Sequence, residues 1–210
     1  MSLLHISTYL SELIAVASIA TFMAIIPGVD FVMVTRTSIR EGRFAGLYIT
    51  LGICLSICLH ATYTLAGLAV VISHSQWAFI VIQYSGAAYL IYLGYQLLKH
   101  SSPLNMALDA NQKALSAVAA LRLGFMTNLL NPKAPLFFLS IFTQVVAVNT
   151  PLYMQVIYAL IIVVLHLIWF SVVSLLLSSP RLLPWFHQRK QVIDKLAGCA
   201  LVIFAVNILW

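Results

Sequence analysis

Charge is what this chain has least of. Of its 210 residues only 8% are charged, while 62% are apolar or aromatic. Soluble domains carry roughly 25% charged and about 45–50% apolar residues. Eleven Lys and Arg with five Asp and Glu are too few to solvate a soluble globule of this length. That excludes a cytosolic enzyme and a disordered chain. Cysteine is scarce as well. Cys54, Cys58 and Cys199 lie in apolar runs with no CxxC or Cys/His ligand spacing. A disulfide-stapled module and a cysteine metal centre are therefore excluded, and the three read as small packing residues. There is also no HExxH segment and no glycine-rich nucleotide loop. Metal-dependent hydrolysis and direct ATP use have no sequence support.

What the chain does have is long apolar runs. Six of them, near 10–38, 44–72, 78–98, 115–146, 153–178 and 192–210, are long enough to cross a bilayer. The first ten residues carry no Lys or Arg, and the apolar run that follows is longer than a signal-peptide core, so the first helix is expected to be kept. Basic residues mark one side. Arg36, Arg40 and Arg43, then Lys99, Lys113 and Arg122, then Arg181, Arg189, Lys190 and Lys195 fall in alternate connections. The opposite connections and both termini hold none. The expected topology is three cytoplasmic loops with both termini outside. Tyr9, Trp77, Tyr153 and Trp210 stand where an outer aromatic belt would be.

The two halves resemble one another. Pro27-Gly28 in the first run and Pro132-Lys133 in the fourth are 105 residues apart. Leu59-His60 and Leu165-His166 are 106 apart, and Ser85-Gly86-Ala87-Ala88 matches Ala197-Gly198-Cys199-Ala200 at 112. With three helices per half, the second copy must enter from the opposite side. The expected fold is an all-α integral membrane protein of six transmembrane helices, built as two inverted three-helix repeats. It forms a single domain over 1–210, with repeat one at 8–98, a polar linker at 99–114 and repeat two at 115–210. Such a repeat points to a secondary transporter.

Polar chemistry is confined to the repeat-related prolines. Pro27 lacks a backbone donor and Gly28 has little helix propensity. The run 10–38 is also too long for one upright crossing, at about 43 Å. A broken first helix explains both facts, and an ordinary proline kink is the alternative. Asp30 follows three residues on, where a carboxylate within a span is costly; an interfacial aspartate near Arg36 is its bland reading. The fourth run repeats the device with opposite charge, as Asn128, Asn131, Pro132 and Lys133. A lysine near the midplane wants an anion, so Asp30 is paired with Lys133, directly or through substrate. The carboxylate of a zwitterion suits Lys133, the amides of Asn128 and Asn131, and the N–H groups after a helix break; its ammonium suits Asp30. His60 and His166 are packing residues or line a polar path able to relay protons. Glu12, near a span end, is expected to reach water.

The segments PGVDFVMVTRTSIREGRFAGL and GFMTNLLNPKAPLFFLSIF, with YSGAAYLIYLGYQLL between them, resemble the signatures of the LysE/RhtB family of bacterial amino-acid exporters. The resemblance covers residues 10–210. WFSVV in the fifth helix and DKLAG at the start of the sixth are most similar to the threonine and homoserine exporter branch. Two departures are Val29, where the family usually has proline, and His166, near an acidic position of some relatives. The resemblance implies six helices, a bacterial inner-membrane location, where the outside termini expected above would be periplasmic, and export of amino acids or close derivatives of the threonine, homoserine or homoserine lactone type. The expected partners are a small amino-acid substrate, protons and membrane lipid, with no nucleic acid, no cofactor and no metal; an oligomer is compatible with the sequence. A passive channel, a structural membrane subunit and an intramembrane enzyme are the competing readings.

Overall fold

Proline, glycine and asparagine divide the chain into helices of very different length. The computed structural model describes residues 3–99, 115–131, 133–147 and 149–177, with further positions between 188 and 206. Among the described residues every regular element is an α-helix. Helix α1 (Leu3–Ile25) stops before Pro27, and α2 (Val29–Glu41) starts after Gly28, which is extended at φ −129°, ψ −165°. The two axes differ by 54°. The first run is therefore a broken helix rather than a kinked one, because Pro27 can supply no N–H and residues 26–28 leave the helical conformation. Gly42, at φ 89°, lets α2 turn directly into α3 (Arg43–His74). Ser75 then caps α4 (Gln76–Lys99) by accepting from the Ala78 N–H at 3.1 Å.

The second half opens in the same way. Ser116 caps α5 (Ala117–Leu129), its side chain accepting from the Ala119 N–H. That helix ends at Leu130. Asn131 then caps α6 (Lys133–Gln144), its Oδ1 accepting from the Lys133 N–H at 3.1 Å. Helix α7 (Leu152–Leu177) follows Pro151. Every described position between 188 and 206 is helical. Pro132, residues 100–114 of the expected linker and much of the expected sixth helix lie outside the described residues.

Among the described residues two helices are long and apolar enough to cross a membrane, α3 over Arg43–Gly67 and α7 over Leu152–Leu176. The bent pair α1 and α2 makes a third if it counts as one span. Leu55, Leu59, Leu160, Val164 and Ile168 are exposed on α3 and α7, as lipid-facing residues would be.

Helix α3 is central, packing on α2, α4, α5, α6 and α7. Its approach to α5 is the closest, because each helix offers a glycine to the other's backbone. A Cβ on Gly52 would stand 2.7 Å from the Phe125 nitrogen, and one on Gly124 would stand 2.8 Å from the Ile49 carbonyl carbon. Small residues let helix backbones meet where no hydrophobic drive separates protein from lipid. Polar ties add to this. Ser174 donates to the Arg43 carbonyl at 2.8 Å, joining α7 to the start of α3. Ser140 donates to the Gly86 carbonyl at 3.1 Å, joining α6 to α4.

Glu12 departs from expectation. It is 5% exposed rather than open to water. The Ala147 N–H and the Thr150 and Tyr158 hydroxyls all donate to its carboxylate at 3.0–3.1 Å. Three donors from beyond α6 replace the water that a carboxylate near a span end would otherwise need.

Candidate functional site

The two helix breaks meet around one cavity of about 40 Å³. Gly28 and Asp30 reach it from the start of α2. Asn128 comes from the last turn of α5, Asn131 from the second break and Lys133 from the start of α6. His166 comes from the middle of α7. Phe31, Phe137, Phe138 and Phe170 supply much of the apolar wall. Six of the nine residues singled out in the sequence thus line one space. Pro27 forms the break without being part of the wall, and His60 stands behind it.

Asp30 is held by both asparagines. Its Oδ2 accepts from Asn128 Nδ2 at 3.0 Å and from Asn131 Nδ2 at 3.4 Å. The amide donors assigned from sequence to a substrate carboxylate are thus engaged by Asp30 instead. An ionised carboxylate only accepts, so this contact fixes which end of each amide is the NH₂. Asn131 is then satisfied at both ends, since its Oδ1 caps α6. Asn128 is not. Its Oδ1 is buried without a hydrogen-bond partner, as is Asp30 Oδ1. Each buried acceptor left unmet costs about 1–3 kcal/mol. Asp30 lines this cavity, and no ion pair joins it to Arg36 among the described residues.

The ammonium of Lys133 lies beside the other break. Its Nζ is 3.7 Å from the point that a Cβ on Gly28 would occupy. Gly28 is the N-cap of α2 and supplies no side-chain cap. The positive end of the α2 dipole and the lysine are therefore near each other, and together they favour an anion.

The histidines differ in role. Carbonyl oxygens only accept, so His60 Nε2 donates to the Asn128 carbonyl at 3.3 Å. The Tyr63 hydroxyl then donates to Nδ1, the remaining acceptor of the neutral ring. His60 is 1% exposed, stacks on Phe138 and holds the end of α5 in place. His166 Nδ1 donates to the Ile162 carbonyl at 2.8 Å, one turn back. Its Nε2 keeps a lone pair, on a side chain that lines the cavity.

The phenylalanine wall has no marker in the sequence. Tyr63 and Trp169 are not part of it: Tyr63 stands on His60, and Trp169 packs against the core. In helices apolar on every face, no periodicity marks the side that faces inward. Among the described residues no group of three or more His, Cys, Asp or Glu side chains could hold a metal ion.

Comparison with known proteins gives the family. A family described as LysE type translocator matches residues 21–210. The threonine efflux protein of Escherichia coli K12 is 30% identical over 93% of this chain and 95% of its own length. The Bacillus subtilis membrane protein YrhP is 36% identical over 66% of this chain and 69% of its own. The leucine efflux protein of Klebsiella pneumoniae is 31% identical over 62% and 61%. No solved structure matches.

Proposed function

The chain belongs to the LysE type translocator family, and from that premise we propose that it exports amino acids or close derivatives, with the cavity between the two helix breaks as the substrate site. Members of the family are translocators, not enzymes. The observation that carries the site is the meeting of Asp30 and Lys133 at one cavity, each from a different broken helix. A zwitterion has one group for each. Its carboxylate would sit against Lys133 and the start of α2, and its ammonium against Asp30. The empty site would keep the two charges in each other's field, and substrate would exchange one such pairing for two. Neither charge is then left alone in a low-dielectric interior.

The cavity is too small for substrate as it stands. About 40 Å³ holds about three waters, less than an amino acid needs. Export then requires the broken pairs to part, first toward one side and then toward the other. We read the whole as six spans in two inverted repeats, with α1–α2 and α5–α6 as the equivalent broken helices. The matched order of break, long helix and further helix in both halves supports this. The basic connections support cytoplasmic loops, periplasmic termini and an inner-membrane location.

Protons are the proposed driving ion. A proton and a substrate ammonium would compete for the same Asp30 carboxylate, and mutual exclusion is what antiport requires. At a potential of about 150 mV one inward proton supplies about 3.5 kcal/mol. At about 1.4 kcal/mol per tenfold, that sustains a gradient of several hundredfold. Counterflow in proteoliposomes tests the function. Internal unlabelled threonine or leucine, the compounds named for the relatives, should drive uptake of the labelled compound. Uptake indifferent to internal substrate would indicate a channel.

A further inference from the structure

We propose that the cavity selects a primary ammonium group, and that Asn128 and His166 determine this specificity beside Asp30. The proposal rests on the amino-acid reading above and deepens it. The unmet polar atoms of the site share one sign. Asp30 Oδ1 and Asn128 Oδ1 are buried and accept no hydrogen bond. Asn128 itself is 2% exposed, and its orientation is fixed by the donation of its NH₂ to Asp30. His166, 9% exposed, gives its Nδ1 proton to Ile162 and keeps an accepting Nε2. These acceptors come from α2, α5 and α7, and all three residues line the same cavity.

Three acceptors converging from three helices make a poor partner for a carboxylate, which has Lys133 and the start of α2 instead. They match a group with three N–H donors and a positive charge, which is R–NH₃⁺. A secondary ammonium has one N–H fewer and would press a methyl group against an acceptor. A quaternary ammonium has none. The phenylalanines Phe31, Phe138 and Phe170 alone would favour the methylated cations, as aromatic cages do. The buried oxygens argue the other way, because methylation leaves them without donors. Asn131 is a positioning residue here, since both ends of its amide are occupied by Asp30 and the start of α6.

The test is competition in counterflow with the purified full chain in proteoliposomes. Each common amino acid is tried in turn as the labelled probe. The one exchanged is then challenged with its own N-methyl, N,N,N-trimethyl and methyl-ester derivatives. Loss of one hydrogen bond to a charged group corresponds to about tenfold or more in affinity. The N-methyl compound should therefore need about ten times the concentration of the parent or more, and the trimethyl compound should not compete. The ester keeps its ammonium and should lose only what Lys133 and α2 contribute. Equal competition by the N-methyl compound overturns the proposal while leaving amino-acid export standing. Exchange of no amino acid overturns export and the proposal together. In His166→Phe the preference for parent over N-methyl compound should narrow toward equality, which a merely unstable protein would not show. An unchanged ratio in that variant removes His166 from the assignment.

Discussion

Lys133 Nζ lies 3.7 Å from the place where Gly28 would carry a Cβ, so the start of one half-helix accommodates the charge that opens the other. Gly28 and Lys133 are 105 residues apart, the repeat spacing of the two prolines. Gly28 is extended, not left-handed, so any residue can adopt its backbone. Its smallness is needed for room. Gly28→Ala should fold with normal yield, because a Cβ there makes ordinary contact. Gly28→Leu should keep its helix content but lose most export, since the side chain displaces the ammonium. Circular dichroism with an export assay separates the two effects.

The glycines of α3 make a sharper contrast. Gly52→Val should destabilise the protein by about 2–3 kcal/mol or more, because backbone of α5 and not a movable side chain stands in the way. Gly124→Val should behave alike against Ile49. Nothing lies within 4 Å of a Cβ on Gly67, so Gly67→Ala should be neutral or slightly stabilising through helix propensity. Thermal unfolding in detergent reads all three.

Glu12→Leu should lower stability by on the order of 3 kcal/mol. It strands the Thr150 and Tyr158 hydroxyls and the Ala147 N–H at once. Glu12→Gln, which keeps one accepting oxygen, should lose less. Equal melting of Glu12→Leu and the parent protein would make these contacts incidental.

Orientation has its own test. In a chain freed of Cys54, Cys58 and Cys199, cysteines at Ser75 and Asn149 should react with an impermeant thiol reagent in intact cells. Cysteines at the exposed positions Ala117 and Arg189 should react only after lysis. The reverse pattern would invert the topology.

Much of the helical layout was legible because it is written in local chemistry. Pro27 and Gly28 cannot continue a helix, and Pro132 repeats the device in the second half. Asp30 and Lys133 stand out because charge is rare in an apolar run. What was not legible depends on contacts distant in sequence. Glu12 gives no sign that Ala147, Thr150 and Tyr158 will enclose it. Gly52 and Gly124 are two glycines among nine until α3 and α5 are seen to meet there. Asn128 was assigned to a carboxylate because an amide has both donors and acceptors. Only its contact with Asp30 turns it toward an ammonium.

The central claim is that Asp30 and Lys133 hold the two ends of an amino acid. Asp30→Asn or Lys133→Met alone leaves one charge buried without its opposite, a loss on the order of 3–5 kcal/mol where such pairs are tight. Both single variants should fall in folded yield and stop export. The most direct measurement is counterflow by the double variant, Asp30→Asn with Lys133→Met, purified and reconstituted beside the parent protein. The account predicts recovered yield and helix content with no amino-acid exchange. Exchange at the parent rate would contradict it, making both charges structural and moving the substrate site elsewhere.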